Sequence, residues 1–226
     1  MVKDLLVNPV YYALGSGDRQ LGVEAAGVRY FPEPVSPFAG FSEDNRQGFE
    51  TLYDILPAGR RILYAVPYKI QAHGGWLLQH EIGGLQFVFT GNLTEARGIT
   101  VTPLAEEHID EMIALVQLTR PGPFGKQTIR FGHYFGIFKE GRLVAMTGQR
   151  LHVENNTEIS AVCTHPDYLG KGYAAELIRH QLQIILSHGE QPFLHVRDNN
   201  ERAIALYHRL GFKISRPMNF YFLKKS

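Results

Sequence analysis

The sequence predicts an α/β (α+β) fold in which a mixed sheet carries helices on both of its faces. Apolar residues recur with strand-like and helix-like periods along residues 98–226, in the order β-α-β-β-β-α-β-α-β. The composition, 44% apolar and 20% charged over 226 residues, is typical of a globular protein with a substantial core. Before about residue 95 the chain is richer in turn-forming residues, which indicates a second, smaller unit.

The N-terminal part, residues 1–95, is expected to form a smaller α+β domain packed on the larger one. Short apolar runs at residues 61–66 and 85–90 are typical of strands. Residues 46–56 repeat apolar side chains at helical spacing, which predicts one amphipathic helix. This part contains no catalytic motif.

The larger part, residues 98–226, is expected to hold the catalytic machinery. Its predicted elements are a strand at 99–104, a helix at about 106–120, strands at 134–139, 143–153 and 158–164, a helix at 172–187, a strand at 192–196, a helix from the Asn199/Asn200 cap to Gly211 and a strand at 219–223. Asparagine before a helix accepts hydrogen bonds from its first amides, and glycine after a helix adopts the left-handed conformation that ends it.

Charge and cysteine content exclude several classes of protein. A net charge of +1 provides no basic excess for nucleic acid or for an anionic membrane surface. No window approaches the ~18 apolar residues that span a bilayer, and the first apolar stretch soon meets Pro9. The single Cys163 cannot form an intrachain disulfide, which is compatible with a cytoplasmic location. We therefore expect a soluble, cytoplasmic protein; the sequence leaves open a homodimer.

Metal binding is not expected. The ten histidines include no HExxH motif and no Cys/His cluster with ligand spacing. His165 and His195 are candidates for lining a cleft, although an ordinary turn or strand position accounts for each.

The segment with the clearest chemistry is residues 164–174, where a strand is followed by a proline turn, two close glycines and the start of a helix. Gly170 and Gly172 permit positive φ and leave backbone N–H groups accessible to a ligand. Amides at a helix N-terminus bind anions, which suits a pyrophosphate. The alternative is a tight loop whose glycines serve its geometry alone.

A dinucleotide-binding site competes with this interpretation, because residues 170–175 formally fit G-x-G-x-x-A and Asp198 follows the next strand. Four residues separate these glycines from the preceding strand, whereas the dinucleotide motif follows its strand directly. Too few residues remain after Asp198 to complete such a sheet. We therefore rank this alternative low.

A second motif, residues 200–212, closely resembles the N-x-x-A-x-x-L-Y-x-x-x-G-F segment of the GNAT superfamily of N-acetyltransferases. Residues 169–174 lie where that superfamily has its Q/R-x-x-G-x-G/A pyrophosphate loop, and with residues 158–166 the block is similar to the FR47-like branch. The resemblance covers about residues 98–226. One departure is Leu169, which replaces the usual Gln or Arg.

The resemblance implies a GNAT fold, with a mostly antiparallel sheet and with residues 1–95 as a degenerate GNAT-like domain that helps to shape the acceptor site. It implies acetyl-CoA as co-substrate, pantetheine between two splayed strands, and direct attack by a primary amine in a ternary complex. The acceptor is expected to be a small amine or a peptide N-terminus. Cofactor contacts are implied for Val162, Cys163, Thr164, Leu169, Gly170, Lys171, Gly172, Tyr173, Ala174, Asn200 and Ala203.

Two residues are candidates for proton transfer. Tyr207 matches the position at which many GNAT enzymes place a general acid for the CoA thiolate; the alternative is an aromatic residue that fills the core. Glu158 is the candidate base, acting directly or through water. Period two would place Glu158 and Val162 on one face, unless a bulge changes the register. Cys163 is expected to pack rather than to act as a nucleophile.

A catalytically silent CoA-binding module remains the alternative function. The departure at Leu169 favours it, whereas the intact Tyr207 and Asn200 favour an enzyme.

Overall fold

The computed structural model describes residues 4–71, 75–95 and 98–226, which form eleven strands and five α-helices. The strands are β1 (Val23–Ala25), β2 (Val28–Tyr30), β3 (Ala39–Phe41), β4 (Arg61–Val66), β5 (Trp76–Phe89), β6 (Thr102–Pro103), β7 (Phe135–Lys139), β8 (Arg142–Val153), β9 (Asn156–Thr164), β10 (Gln191–Arg197) and β11 (Phe212–Lys225). The helices are α1 (Pro9–Ala13), α2 (Gly48–Ile55), α3 (Ile109–Thr119), α4 (Tyr173–Ser187) and α5 (Glu201–Arg209).

One large sheet organises the molecule, with the strand order β4-β11-β5-β10-β9-β8-β7-β6. Its neighbouring strands run antiparallel except β9 and β10, which are parallel. From β6 to β11 the elements follow the predicted order, so the expected mixed, mostly antiparallel sheet with flanking helices is confirmed. Strands β1, β2 and β3 form a separate small sheet.

Apolar cores cover both faces of the large sheet. Helices α4 and α5 pack on one face, where Leu182 and Tyr207 meet Phe87 and Ile159. Helices α1 and α3 lie on the other face, where Val10 and Met112 join a cluster that contains Cys163 and Phe193. No helix among the described residues is long and apolar enough to cross a bilayer.

The N-terminal part contributes two strands to this sheet. Strand β5 pairs with β10 on one side and with β11 on the other, and β4 pairs with β11 at the sheet edge. The expected division near residues 95–98 therefore does not coincide with a boundary between sheets.

Several strand bounds differ from those predicted. The strand expected at residues 99–104 is reduced to Thr102–Pro103, while β5 begins at Trp76 and β11 at Phe212, both earlier than predicted. Residues 77–81 are exposed on both faces, so they lack the alternation that reveals a strand. Pairing with β11 determines their conformation instead.

The sheet opens between its two parallel strands. Strands β9 and β10 pair only at residues 156–158 and 191–193, after which each continues without the other, to Thr164 and Arg197. This separation was expected from the sequence resemblance. It leaves a wedge-shaped gap bordered by the loop that precedes α4.

Candidate active site

A cleft of about 1160 Å³ begins in the gap between β9 and β10. Towards α4 it is lined by residues of the glycine loop, such as Gly170 and Gly172. Towards the N-terminal part it is lined by aromatic and aliphatic side chains, among them Phe38 and Phe222. The segment after α3, from Arg120 to Phe124, also lines it. The cleft thus connects a polar backbone cradle with an apolar chamber.

The glycine loop presents unused backbone donors to the cleft. Gly170 and Gly172 have φ values of 79° and 82°, and α4 begins directly afterwards at Tyr173. Within the described residues, no protein acceptor is bonded to the amides of residues 170–175. Because the first amides of a helix have no intrahelical partner, this loop has the geometry of a candidate anion-binding site.

The structure brings almost all the predicted cofactor residues together. Those lining the cleft are Val162, Cys163, Thr164, Leu169, Gly170, Gly172, Tyr173, Ala174, Asn200 and Ala203. Lys171 is not among the lining residues, and its Nζ lies over the Tyr168 ring, 4.7 Å from the centroid. Asn200 caps α5 through Oδ1, which accepts from the Ala203 amide at 3.2 Å, as its cap position predicts. Their contact with acetyl-CoA stays a prediction.

A bulge in β9 changes which side chains share a face. Ala161 has φ of 52°, and the pairing with β8 shifts between Ser160 and Cys163. As a result Ile159 and Val162 both pack against the α4/α5 cluster, whereas Ala161 and Cys163 pack on the opposite face. The period-two expectation that Glu158 and Val162 share a face is therefore wrong, because the extra residue reverses the alternation.

Glu158 lies at the centre of a buried ion-paired network on the α1/α3 face. Its Oε1 accepts hydrogen bonds from Arg150 Nη2 at 2.8 Å and from His195 Nδ1 at 2.9 Å, and its Oε2 accepts from Arg150 Nε at 2.9 Å. The side chain is 1% exposed. Gln86 Nε2 lies 3.1 Å from His195 Nε2, so a proton on Nδ1 of His195 satisfies both of its ring contacts.

This network makes Glu158 a weak base. Burial alone would raise its pKa, but the charge of Arg150 and the hydrogen bonds that Arg150 and His195 donate outweigh burial and lower the pKa to about 2. Glu158 is not among the residues that line the cleft. To act as the expected base and remove a proton from the substrate ammonium group, Glu158 would first have to lose its contact with Arg150.

Tyr207 lines the cleft and is also packed in the α4/α5 cluster, and its role as a general acid stays a prediction. Its ring meets Phe87 and Phe212 edge-on, with centroids 5.9 Å and 6.1 Å away. Among the described residues none hydrogen-bonds its hydroxyl. Burial raises the pKa of Tyr207 to about 12, so at neutral pH the hydroxyl is protonated and available as a donor.

Cys163 presents its backbone to the cleft while its side chain packs towards α3. Burial raises the pKa of the Cys163 thiol to about 11, which keeps it protonated at neutral pH. A protonated thiol is a poor nucleophile. In the described part of the chain, no three His, Cys, Asp or Glu side chains cluster as metal ligands.

Sequence reasoning missed the polar residues that reach the cleft from distant elements. Arg150 comes from β8 and Arg179 from the second turn of α4. Neither lies in a motif, and only the helical spacing from Gly172 places Arg179 near the glycine loop. Arg150 had no local signal, because its partner Glu158 lies on another strand, and His195, the second partner of Glu158, lies on a third.

Comparison with known proteins gives consistent matches. The family model for FR47-like proteins matches residues 134–221. A solved GNAT-family protein from Novosphingobium aromaticivorans is 32% identical and superposes with a TM-score of 0.92, over 99% of this chain and 100% of that one.

Two relatives carry names that state an activity. N-alpha-acetyltransferase 30 of Schizosaccharomyces pombe is 24% identical over 138 residues, which are 55% of this chain and 91% of that protein. N-alpha-acetyltransferase MAK3 of Arabidopsis thaliana is 27% identical over 128 residues, 52% of this chain and 67% of that protein.

Proposed function

Because this chain belongs to the FR47-like branch of the GNAT superfamily and is an N-acetyltransferase, we propose that it transfers an acetyl group from acetyl-CoA to a primary amine in a ternary complex. The observation that carries the proposal is the gap between β9 and β10, which opens onto the free amides of residues 170–175. Relatives named N-alpha-acetyltransferases support an α-amino group as the acceptor.

The donor fits the chain's own groups. The loop amides would hold the pyrophosphate, with Arg179 nearby to balance its charge. Beyond Glu158 the β10 side of β9 has no strand partner, so the backbone of Val162, Cys163 and Thr164 would pair with the amides of pantetheine. The apolar Leu169 removes one side-chain contact and leaves this backbone cradle intact.

Acetyl-CoA supplies the reactive thioester, and the protein positions the amine and provides hydrogen-bond donors. A neutral amine in the apolar chamber attacks the acetyl carbon, the new C–N bond forms and the C–S bond breaks. A backbone N–H of the splayed end of β9 stabilises the charge that develops on the carbonyl oxygen. The Tyr207 hydroxyl donates a hydrogen bond to the leaving sulfur, the proton lost by the amine passes to solvent, and the released thiolate takes up a proton from solvent to give the free thiol.

Glu158 acts in this proposal as a positioning residue. Its carboxylate fixes Arg150 and His195, which both line the chamber, and its low pKa keeps it charged throughout the working pH range. A cytoplasmic location would supply acetyl-CoA and keep Cys163 reduced.

The test is release of free thiol from acetyl-CoA with a panel of amino acids, peptides and amines, with product masses measured in parallel. We expect acetyl-CoA to release thiol when one class of acceptor is present. The product should be heavier than that acceptor by about 42 Da, the mass added when an acetyl group replaces one proton. Calorimetric CoA binding without any acetylated product would contradict the transferase and support the silent CoA-binding module.

A further inference from the structure

The half of the cleft next to the N-terminal part, in which the proposed function places the acceptor, is largely aromatic. Its walls include Phe38, Phe124, Tyr134, Phe220 and Phe222. Such surfaces favour an aliphatic or aromatic side chain, because burying it removes apolar area from water.

Among the described residues, no carboxylate lines this chamber, since no aspartate or glutamate lines any part of the cleft. Glu158, which lies just behind the lining, has both oxygens bonded to Arg150 and His195. A second ammonium group on the acceptor would therefore be desolvated without a counter-charge, which is costly. This argues against polyamines and other multiply charged amines.

Arg150 offers the chamber unused donors. A guanidinium has five N–H donors, and Glu158 takes two of those of Arg150, one from Nε and one from Nη2. Within the described part of the chain, the other three donors have no protein acceptor. The side chain is 12% exposed and lines the cleft, and its guanidinium is held 4.7 Å from the Phe38 ring centroid. A carboxylate is the ligand that this geometry suits best.

We propose that the acceptor is a free α-amino acid with an apolar or aromatic side chain, whose carboxylate binds Arg150. The spacing supports this, because the residues of β9 that line the cleft begin directly after the Glu158 that holds Arg150. The proposed acyl site therefore lies within one or two strand residues, about 3–7 Å, of that carboxylate. In an α-amino acid the amino nitrogen lies about 3 Å from the carboxylate oxygens, and a hydrogen bond of about 2.8 Å to Arg150 together with an attack distance of about 3 Å to the acetyl carbon covers that distance. The inference rests on the proposed function and specifies its substrate class.

Product binding tests the anchor without requiring turnover. With CoA present, titration calorimetry compares N-acetyl-L-phenylalanine with N-acetyl-L-phenylalaninamide, which lacks the charge but keeps the shape. We expect the acid to bind at least about ten-fold more tightly, since hydrogen bonds between charged partners are the stronger kind. Equal affinities for the acid and the amide would overturn the proposal. It would also be overturned if the acid did not bind at ten times the concentration, on the order of millimolar, that saturates a carboxylate-preferring site.

A matched pair of variants assigns the preference to Arg150. Glu158→Gln keeps the guanidinium, whereas the double variant Arg150→Met with Glu158→Gln removes both charges without leaving either unpaired. The acid-to-amide preference should persist in the first and fall to about one in the second, with CoA affinity unchanged in both. Persistence in the double variant would overturn the assignment; if that variant does not fold, the wild-type comparison decides.

Thiol release separates this inference from the proposed function. Phenylalanine should be acetylated, and phenylalaninamide and spermidine should react at least about ten-fold more slowly. Release with peptides or spermidine but not with amino acids would overturn the inference and leave the transferase standing. Acid-selective product binding without any release would uphold the anchor and contradict the transferase.

Discussion

Replacement of Tyr207 by phenylalanine tests how the leaving sulfur is stabilised. The pKa of Tyr207 is raised to about 12 by burial, whereas an ordinary thiol has a pKa of about 8.5. Complete proton transfer from this phenol to the thiolate is therefore uphill by about 5 kcal/mol. The hydroxyl is better suited to donate a hydrogen bond to the developing thiolate than to surrender its proton.

The size of the effect follows from this role. A hydrogen bond to a charged group contributes about 1.5–3 kcal/mol, so Tyr207→Phe should lower kcat by about 10–150-fold. Because the described residues provide the hydroxyl with no partner, its removal should leave the free energy of unfolding and CoA affinity nearly unchanged. The ratio of wild-type to variant kcat should stay constant from pH 6 to pH 10, since Tyr207 remains protonated throughout.

The assay is steady-state thiol release at saturating acetyl-CoA and acceptor across that pH range. Thermal unfolding and calorimetric CoA binding serve as controls. A kcat within two-fold of wild type would remove Tyr207 from the mechanism. A ratio that changes below pH 10 would mean that Tyr207 titrates there and that burial does not hold its proton.

Three further outcomes are expected. Gly170→Ala and Gly189→Ala both place a side chain at positive φ in open space, so each should lower the free energy of unfolding by about 1–2 kcal/mol. Only Gly170→Ala should weaken CoA binding, and equal CoA affinities of the two variants would mean that the loop is misassigned. Burial opposes the charge on His152, but the carboxylate of Asp18 outweighs burial and raises the pKa of His152. The ion pair between Asp18 and His152 therefore stabilises the folded protein fully below about pH 6.5, and this stabilisation is lost as pH rises through the raised pKa. Asp18→Asn should therefore lower the urea unfolding free energy more at pH 6 than at pH 9, and an equal loss would contradict the ion pair. Glu158→Gln keeps an acceptor for His195 Nδ1 but cannot take a proton, so its kcat should stay within about ten-fold of wild type. Glu158→Ala should lower kcat further. If both variants lowered kcat equally, by about 10²-fold or more, Glu158 would be restored as the base.

The sequence was most informative where the physics is local. The glycine loop, the Asn200 cap of α5 and the apolar face of α4 each depend on neighbours a few residues away, and each was located correctly. The order of elements from β6 to β11 followed from the same short-range signals.

Long-range pairing could not be predicted in this way. No local pattern shows that β5 lies between β10 and β11, because strand order depends on contacts between residues far apart in the chain. The bulge at Ala161 had no signature either, and it reversed the expected face of Val162 relative to Glu158. The network of Arg150, Glu158 and His195 draws on three strands, so each member alone looked like an ordinary strand residue.

The position of β5 has a consequence for how the chain acquires its structure. During synthesis β5 emerges before both of its neighbours, β10 and β11, and cannot be paired in the interior of the sheet until the last strand is available. Closure of the sheet therefore depends on contacts between distant residues, which makes folding slow compared with a chain of local contacts. Once the sheet is closed, β11 is held by β4 and β5 together, so the apolar chamber and the glycine loop should unfold in a single cooperative transition.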